Sequence, residues 1–414
     1  MNSAFLPQEK TSTAASFPQR ACPVCLSLQP KPLFRQAFAA YSREGLMEGY
    51  DIAVCLNCGG GYADHIPPQS AFDHYYRDMS KYAQQQNAGR ISATDVERFR
   101  QVVDLISPHL RPDQRIADIG CATGGLLAEF QRRGFLNLTG FDPSPECAEI
   151  AGRLYNIHVR QASIKDLGAA TERFHLVVLT GVLEHLADVD TSLHLLRGLL
   201  EPEGQIYFEV PDASRYDQWF SAPFQFFSME HVNFFAPQSL RHLLARHGFD
   251  CVFVERVKRF LGPTAVEPAV AGLFRLASKP ASAMRDDETE PALQRYIALS
   301  RHLESSIHET IARLVERQVP LAVWGTGTHT LRLLETSPLP QANLVAFLDS
   351  NPAYQGQQLR AVPILAPDQF DRADAIILIS SHVAEREIKH QIQNVRHWPN
   401  EIVCLYENAP VGLG

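Results

Sequence analysis

Short hydrophobic runs alternate with helical patterns in two separate parts of the chain. In the first part, apolar runs of strand length occur at Ile116–Ile119 and in the segments LNLTGFDPS, FHLVVLTGVLEH and GQIYFEVPD. In the second part, which begins after residue 318, the runs PLAVWG, NLVAFLDS, AIILIS and EIVCLYE have the same character. Strands that alternate with helices predict parallel, doubly wound sheets. Ligands of such sheets lie at the carboxyl ends of the strands.

The segments around these two parts predict connections rather than further sheets. Apolar positions recur at helical spacing from Val96 to Ile106 and from Ala292 to Glu316, and the polar stretch LASKPASAMRDDETEPAL indicates a linker. We therefore predict an α/β protein that is divided as follows: a disordered leader (1–20), a metal-binding unit (21–75), a central Rossmann-like unit (76–260), a linker with a long helix (261–318) and a C-terminal Rossmann-like unit (319–414).

Composition and charge limit the classes of partner. The 414 residues are 45% hydrophobic and 20% charged, which is normal for a globular protein, and the formal net charge is -8. This charge argues against nucleic acid as a main partner. The N-terminal segment lacks the apolar core of a signal peptide, and no apolar run reaches the ~18 residues of a membrane span. We therefore expect a cytoplasmic protein that binds neither nucleic acid nor membranes.

Four of the eight cysteines form two CxxC pairs, Cys22 with Cys25 and Cys55 with Cys58. Each pair presents two thiolates from one tight turn, as a tetrahedral zinc ion requires, and the glycines after the second pair let the backbone fold round it. A site with four cysteine ligands has no open coordination position, so we predict a structural zinc ion. The alternative is a set of redox-active or simply buried thiols.

A glycine-rich turn, GCATGG, follows the first central strand. Asp142, after the next strand, can accept both hydroxyl groups of a ribose, while Gly120 and Gly124 allow the backbone to approach a ligand closely. The turn lacks the third glycine of the dinucleotide fingerprint, and Asp118 lies just before its first glycine. An acid at that place favours a positively charged ligand over a pyrophosphate. S-adenosylmethionine carries a sulfonium and an ammonium group and therefore suits the turn.

At these residues the chain resembles a known family. The segments ADIGCATGG, GFDPS, GVLEHLADV and LLEPEGQIYFEVPD resemble the successive motifs of class I S-adenosylmethionine-dependent methyltransferases. The order of CxxC knuckles, this domain, an EHxxxF segment and a C-terminal Rossmann-like domain is similar to that of C-methyltransferases acting on nucleotide-linked keto-deoxysugars. This resemblance covers nearly the whole chain beyond the leader. It implies S-adenosylmethionine and Zn2+ as cofactors and a nucleotide sugar as the small-molecule substrate.

The resemblance implies cofactor contacts at matching positions of the central unit. Residues of the glycine turn would line the methionine end of the cofactor, the acid after the second strand would hold its ribose, and a later pair would flank its adenine. In that order, these residues are Asp118, Gly120, Ala122 and Gly124, then Asp142, then Ser163 and Ile164.

The resemblance also implies three catalytic residues. His185, in the segment LEH, matches a histidine near the transferred methyl group. Glu230 and His231 match an acid–base pair in which the histidine deprotonates the sugar carbon beside the keto group. Two features depart from the family pattern, because Ser228 and Met229 replace its Tyr-His and the C-terminal turn GTGTHT differs from its GA.AKG type. Both departures lie where the substrate would be recognised.

Each of these side chains also has an interpretation without catalysis. His231 suits proton removal because the ordinary pKa of histidine is near ~6.5. Alternatively, it caps or packs at the start of the helix predicted in PQSLRHLLARHGF, with Phe234 and Phe235 in the core. His185 would then only shape the cofactor pocket. Three tyrosines can form an aromatic lid over the site or pack in the core: Tyr75, Tyr76 and Tyr82.

The leading hypothesis from the sequence is methyl transfer from S-adenosylmethionine to a carbon of a nucleotide-linked keto-deoxysugar, with His231 as the base. O-methylation of a sugar or another small metabolite is the alternative with the same cofactor. The turn from Gly325 to Gly327 can bind a phosphate at a helix N-terminus, with Asp349 where a ribose-binding acid would lie. Its occupant would be a nucleotide sugar or a nicotinamide cofactor, so an NAD-dependent oxidoreductase is a further hypothesis. The negative charge argues against a zinc protein that binds nucleic acid.

Overall fold

Three β-sheets organise the part of the chain that the structure describes. The structure is a computed structural model, and it describes residues 17–41, 46–78, 92–260, 266–277 and 284–406. Within these ranges, no helix combines the length and the apolar character needed to cross a membrane. Tyr82 and most of the predicted leader lie outside the described residues.

The first sheet is antiparallel and carries both CxxC pairs at its end. Its strands β1 (Pro30–Ala37), β2 (Gly49–Cys55) and β3 (Gly61–Asp64) are followed by helix α1 (Gln69–Asp78). A short strand from much later in the chain pairs with the edge of β3, where Gly61 lies opposite Phe234 and Tyr62 opposite Asn233. This pairing brings the EHxxxF segment to the metal-binding unit.

The second sheet has seven strands, and its middle is parallel. The order is β10-β11-β8-β7-β4-β5-β6, with antiparallel pairing only among β10, β11 and β8. This sheet confirms the predicted Rossmann-like α/β fold of the central unit. Its elements, with the short strand β9 of the first sheet, are α2 (Ala93–Ile106), β4 (Ile116–Ile119), α3 (Gly125–Arg132), β5 (Leu138–Asp142), α4 (Pro145–Tyr155), β6 (Val159–Gln161), β7 (Phe174–Thr180), α5 (Val189–Gly198), β8 (Leu200–Pro211), β9 (Asn233–Phe234), α6 (Pro237–Arg246), β10 (Phe249–Phe260) and β11 (Val266–Leu276).

The end of this sheet differs from the sequence-based division. The boundary predicted after residue 260 falls between β10 and β11, which form a long hairpin. The predicted linker includes β11, yet this strand lies between β10 and β8 as a fully integrated part of the sheet. Its residues are mostly buried on both faces, so their apolar run shows neither strand alternation nor helical spacing.

The third sheet has the order β14-β15-β13-β12-β16-β17 and is parallel except for the edge pair of β14 and β15. It follows α7, a long helix whose predicted range of Ala292 to Glu316 lies within the observed one. The elements are α7 (Thr289–Arg317), β12 (Leu321–Trp324), α8 (Thr328–Thr336), β13 (Leu344–Leu348), β14 (Gln358–Leu359), β15 (Val362–Leu365), β16 (Ile376–Ile379), α9 (Glu385–His390) and β17 (Ile402–Cys404).

The hydrophobic core extends across these sheets. One buried cluster joins a face of the first sheet to the aromatic residues of segment 213–234, to helix α7 and to the third sheet. A second cluster joins the cysteine knuckles to helix α6 and the second sheet. Segment 213–234 is therefore enclosed by apolar contacts from several parts of the fold, and its position is determined by packing.

The second cysteine knuckle is attached to the beginning of α7. The carbonyl oxygen of Cys58 accepts a hydrogen bond from the amide of Asp286 at 2.8 Å. The carboxylate of Asp286 then accepts hydrogen bonds from the amides of Glu288 and Thr289 and from the hydroxyl of Thr289 at the helix N-terminus. Gly59 lies against this joint with a φ of +80°, and a Cβ atom there would come within 1.8 Å of the Asp286 carbonyl oxygen.

We predict that Gly59→Ala lowers the stability of the folded protein more than Gly134→Ala does. Gly134 has a similar φ of +88°, but no atom lies within 4 Å of the position that a Cβ atom would take there. The control substitution therefore costs only the strain of the left-handed backbone, about 1 kcal/mol. Gly59→Ala adds a backbone clash, for a total of about 3 kcal/mol. Midpoints of denaturant unfolding for both variants measure the difference, and equal shifts would contradict this account.

Candidate active site

The glycine turn lies at the carboxyl end of β4, as the sequence predicted. Gly120 and Gly124 both have a positive φ, of +71° and +80°, and a Cβ atom on Gly120 would lie 2.7 Å from the side chain of Val182. These glycines therefore allow a tight turn beside the end of the neighbouring strand β7. Ala122 also has a positive φ, of +47°, which costs strain in a residue with a side chain.

The first backbone amides of this turn donate hydrogen bonds to other groups of the protein. The amides of Gly120 and Cys121 donate to the carbonyl oxygen of Phe141 at 2.7 and 3.1 Å. Ala122 donates to Oδ2 of Asp142 at 2.9 Å, and Ser144 donates to Oδ1 of the same carboxylate at 2.9 Å. A pyrophosphate would need free backbone amides at this turn. A ribose would need only the lone pairs of the Asp142 carboxylate that the backbone amides leave free. The geometry therefore suits a nucleoside that approaches the turn without phosphates.

Asp118 is a buried acid at this turn, with 2% of its surface exposed. Among the described residues, its Oδ1 atom has no hydrogen-bond partner. Burial raises the pKa of Asp118 to about 8, the negative charge of Asp142 adds to this effect, and Arg98 opposes it. The ammonium group of a bound ligand would donate to this oxygen and stabilise its charge. Asp118 thus fits the methionine end of S-adenosylmethionine.

The predicted adenine-flanking pair lies after β6 at the start of a 3-10 turn. The amide and the hydroxyl of Ser163 both donate to Asp166, at 2.8 and 2.7 Å, so this hydroxyl stabilises the turn locally. Ile164 is partly buried and packs against the core of the second sheet. Contact of these two residues with adenine stays a prediction.

Two distant segments meet at the second part of the site. The amide of Val232 donates to the carbonyl oxygen of Glu184 at 2.9 Å. The side-chain amide of Asn233 donates to the carbonyl oxygens of Leu183 and Leu186, at 3.0 and 2.8 Å. Asn233 is 2% exposed, so these bonds are shielded from water. They attach the segment around His231 to the turn Leu183–His185, which begins two residues after the end of β7.

The three predicted catalytic residues lie together in this place. The rings of His185 and His231 meet edge to face with their centroids 4.8 Å apart. Nδ1 of His185 lies 2.8 Å from the hydroxyl of Tyr76 and 3.0 Å from the backbone carbonyl oxygen of Glu230. The carboxylate of Glu230 accepts a hydrogen bond from Tyr75 at 3.1 Å. Burial, together with the charge of Glu230, raises the pKa of Tyr75 above its usual value, so the phenol stays protonated and able to donate.

The structure also shows the surroundings of the residues for which the sequence left a second interpretation open. Helix α6 begins at Pro237, so His231 does not lie at its start. Phe234 and Phe235 are buried in the core, as the alternative interpretation expected. The hydroxyls of Tyr75 and Tyr76 face Glu230 and His185, while their rings pack against the hydrophobic core.

A cavity of about 290 Å³ lies at the carboxyl ends of β12, β13 and β16. Its wall includes residues 325–329, Asp349 and residues 380–383, and residues 222–225 close it from the central unit. Asp349 accepts hydrogen bonds from the amide and hydroxyl of Thr326 at 3.0 and 2.6 Å. The Asp349 carboxylate therefore holds the turn from Gly325 to Gly327 in place. The rings of Tyr41 and Tyr354 stack beside this turn with their centroids 5.3 Å apart, and the Tyr41 hydroxyl donates to the Thr326 carbonyl oxygen.

Sequence reasoning missed the residues that join this cavity to the predicted catalytic segment, Ser228 to His231. Arg332 makes a two-fold ion pair with Glu304 at 2.7 Å and donates to the side-chain oxygen of Gln36 at 2.6 Å. Its guanidinium group lies 4.0 Å above the ring of Phe224. Gln36 in turn donates to the carbonyl oxygen of Phe227, next to the catalytic segment. No local motif marks these residues, because each belongs to a different part of the chain.

The four predicted metal ligands converge at the end of the first sheet. The sulfur atoms of Cys22 and Cys58 are 3.6 Å apart, and those of Cys25 and Cys55 are 3.5 Å apart. All four lie within 4.8 Å of one another. Tetrahedral zinc with bonds of about 2.3 Å places its sulfur ligands about 3.8 Å apart, so the cluster fits such an ion. The side-chain amide of Asn57 donates a hydrogen bond to the Cys25 sulfur.

The comparison with protein families identifies the class of the central unit. Residues 90–254 match a family model described as a methyltransferase domain. This range contains the glycine turn, Asp142, the turn with His185 and the segment with His231. The chain therefore carries a methyltransferase domain of the class that uses S-adenosylmethionine.

Individual relatives include both C- and O-methyltransferases. The C-methyltransferase NovU of Streptomyces niveus is 25% identical over 340 residues, which cover 77% of this chain and 76% of NovU. The ubiquinone biosynthesis O-methyltransferase of Cereibacter sphaeroides is 38% identical over 107 residues, which cover 24% of this chain and 42% of that enzyme. The chain thus spans about two fifths of the length of such O-methyltransferases.

Solved methyltransferase structures resemble about half of the chain. One is the 1,6-didemethyltoxoflavin-N1-methyltransferase of Burkholderia thailandensis, with 21% identity, a TM-score of 0.40, and coverage of 54% of this chain and 98% of that one. Another is the N-methyltransferase NodS of Bradyrhizobium japonicum WM9, with 20% identity, a TM-score of 0.37, and coverage of 49% and 97%.

We predict that the affinity for S-adenosylmethionine rises with pH up to about 8. The unliganded Asp118 carboxyl has a pKa of about 8 and is mostly protonated at pH 6, whereas the bound ammonium group favours the charged carboxylate. Binding therefore releases a proton below pH 8, and the dissociation constant falls by about tenfold per pH unit in that range. Calorimetry between pH 6 and 9 measures this dependence. In Asp118→Asn the dependence should disappear, and a flat profile in the unaltered protein would contradict the assignment.

Proposed function

We propose that the protein transfers a methyl group from S-adenosylmethionine to a carbon atom beside the keto group of a nucleotide-linked deoxysugar. The observation that carries this proposal is the meeting of His185, Glu230 and His231 in one cluster, attached to the strand end beside the glycine turn. In this proposal the histidines supply a proton acceptor, and the hydroxyls of Tyr75 and Tyr76 lie beside them. NovU, which matches most of the chain, is a C-methyltransferase, and this similarity supports carbon as the acceptor.

The proposed reaction needs little from the protein beyond positioning and removal of one proton. His231 takes the proton from the carbon beside the ketone, and the electrons of that C–H bond form an enolate. The enolate carbon attacks the methyl group in line with its bond to sulfur, and the electrons of that bond return to sulfur. The products are the methylated ketone, S-adenosylhomocysteine and a protonated His231. The Tyr76 hydroxyl, 2.8 Å from Nδ1 of His185, supplies the donor that stabilises the enolate oxygen, and His185, whose Nδ1 also faces the Glu230 carbonyl oxygen, orients that hydroxyl.

The cavity at the third sheet suits the nucleotide part of such a substrate. It lies at the carboxyl ends of parallel strands, beside the N-terminus of α8, where phosphates bind favourably. Residues 222–225 form its wall and lead directly to Ser228 and His231 in the catalytic segment. A substrate anchored there by its nucleotide can extend its sugar along this segment. The stacked Tyr41 and Tyr354 offer an aromatic surface beside it.

O-methylation is the second candidate function. Two relatives that are 38% and 34% identical to this chain, over about a quarter of its length, are O-methyltransferases. In that reaction the same His231 would take a proton from a hydroxyl group instead of a carbon. The acceptor therefore decides between the two functions.

Labelled methyl groups distinguish these functions. We propose incubating the protein with methyl-labelled S-adenosylmethionine and a panel of keto-deoxysugar nucleotides, the corresponding free sugars and catechol-type phenols. Label that becomes bound to carbon in a nucleotide sugar supports the proposal. Label that becomes bound to an oxygen atom of a substrate supports O-methylation. Label that appears on the phenols alone contradicts the proposal that the acceptor is a sugar.

We predict that His231→Ala lowers kcat by roughly 10²- to 10⁴-fold, because the reaction loses its base. The affinity for S-adenosylmethionine should change little, since the cofactor contacts lie on other residues. His194→Ala is the matched control, because His194 is exposed on α5 away from the cluster, and it should retain full activity. Steady-state kinetics with the accepted substrate test this prediction. Full activity of His231→Ala would show that another group removes the proton.

We infer that the cysteine cluster binds one zinc ion with a structural role. We predict that native mass spectrometry detects one zinc ion per chain, and that Cys58→Ser loses it and lowers the midpoint of thermal unfolding. The reason is that the Cys58 knuckle holds the beginning of α7 through Asp286. Cys251→Ser, outside the cluster, is the control and should retain the metal. Retention of zinc by Cys58→Ser would contradict the inference.

A further inference from the structure

A second group of possible metal ligands, distinct from the four cysteines, surrounds the turn that follows strand β7. It consists of Glu184, His185 and His231, each of which offers one ligand atom, and these atoms lie within 4.8 Å of one another. Nε2 of His185 lies 4.0 Å from Oε1 of Glu184. A carboxylate and two imidazoles from separate parts of the chain therefore converge on one point.

The carboxylate of Glu184 lacks the hydrogen bonds that a buried charge needs. Only 1% of Glu184 is exposed, and among the described residues neither of its carboxylate oxygens has a hydrogen-bond partner. Such a group is costly, because nothing replaces the water that its charge has lost. A bound cation would compensate this loss directly. The buried carboxylate therefore indicates a ligand with positive charge.

The guanidinium groups near Glu184 do not neutralise all of the surrounding acids. Arg259 lies 3.6 Å from Glu184, but it is also paired, in a closer contact, with Glu267. Arg98 is paired with Glu209 at 3.1 Å. All three carboxylates belong to buried residues. Two guanidinium groups thus face three acids, and one negative charge remains for a ligand to balance.

The two imidazoles are arranged as ligands of one metal ion would be. Their ring centroids are 4.8 Å apart. With Zn–N bonds of about 2.1 Å, two imidazoles on one ion have centroids roughly 4.5 to 5.2 Å apart. Nδ1 of His185 faces the carbonyl oxygen of Glu230 at 3.0 Å. Because a carbonyl oxygen only accepts, Nδ1 carries the proton and Nε2 keeps its lone pair on the side of Glu184.

This set of donors selects the kind of cation. Two imidazole nitrogens with one carboxylate oxygen suit a divalent transition metal ion, whereas Mg²⁺ prefers oxygen ligands and keeps several waters. Ligand atoms on one tetrahedral ion lie about 3.4 Å apart, so binding draws these side chains together by about 1 Å. The site is therefore one for a reversibly bound ion rather than a permanent one.

We propose that Glu184, His185 and His231 bind a divalent transition metal ion such as Zn²⁺ or Co²⁺, and that this ion inhibits methyl transfer. An ion held by His231 occupies the lone pair that would take the proton from the substrate. The site follows from the three side chains alone. The inhibition rests on the proposed function, in which His231 is the base.

The test titrates Co²⁺ into the full-length protein that has been loaded with one equivalent of Zn²⁺. Calorimetry measures the dissociation constant, and absorption reports the ligands, because Co²⁺ bound by cysteine adds a strong thiolate-to-metal band in the near ultraviolet. We expect one Co²⁺ per chain without that band. Glu184→Gln and His231→Ala should each raise the dissociation constant by at least roughly tenfold. His194→Ala is the matched control, since His194 is exposed on α5, and it should keep the affinity.

Two results would overturn the site: Co²⁺ that binds only with the thiolate band or not at all, and an affinity that stays the same in both variants. Circular dichroism checks that both variants are folded, and each removes a different ligand. With an accepted substrate, Co²⁺ should halve the rate near its dissociation constant, its removal by dialysis should restore the rate, and Mg²⁺ should have no effect. If Co²⁺ binds at the three residues and the rate is unchanged, the inhibitory role is wrong. If no substrate is methylated, the proposed function is wrong, while the binding data still decide on the metal site.

Discussion

The attachment of Asn233 to the turn after β7 is the interaction on which the site depends. One side-chain amide donates to the carbonyl oxygens of Leu183 and Leu186, while the backbone of Asn233 belongs to strand β9 of the first sheet. The segment around His231 is therefore fixed both to the first sheet and to the end of β7 in the second sheet. Because Asn233 is buried, a lost bond would leave unsatisfied carbonyl groups. This cost maintains the distance between His185 and His231.

The third sheet is coupled to the same segment by a second buried polar connection. Arg332 on α8 is paired with Glu304 on α7, bonded to Gln36 on β1 and stacked on Phe224. A buried charge of this kind is tolerated only with all of its partners in place. The cavity at the third sheet and the catalytic segment are thus held in one arrangement.

Sequence reasoning captured the parts of the fold that depend on local patterns. Ile116–Ile119 and the long helix were predictable because each combines a continuous pattern with a clear end, such as the glycine turn after β4. Strand β11 was missed because its residues are buried on both faces. The position of Asp118 and Asp142 beside the glycine turn was predicted from their motifs, and their contact with a cofactor stays a prediction. The contacts of Gln36 and Arg332 were not predicted, because they join residues far apart in sequence, which the spacing of apolar positions does not indicate.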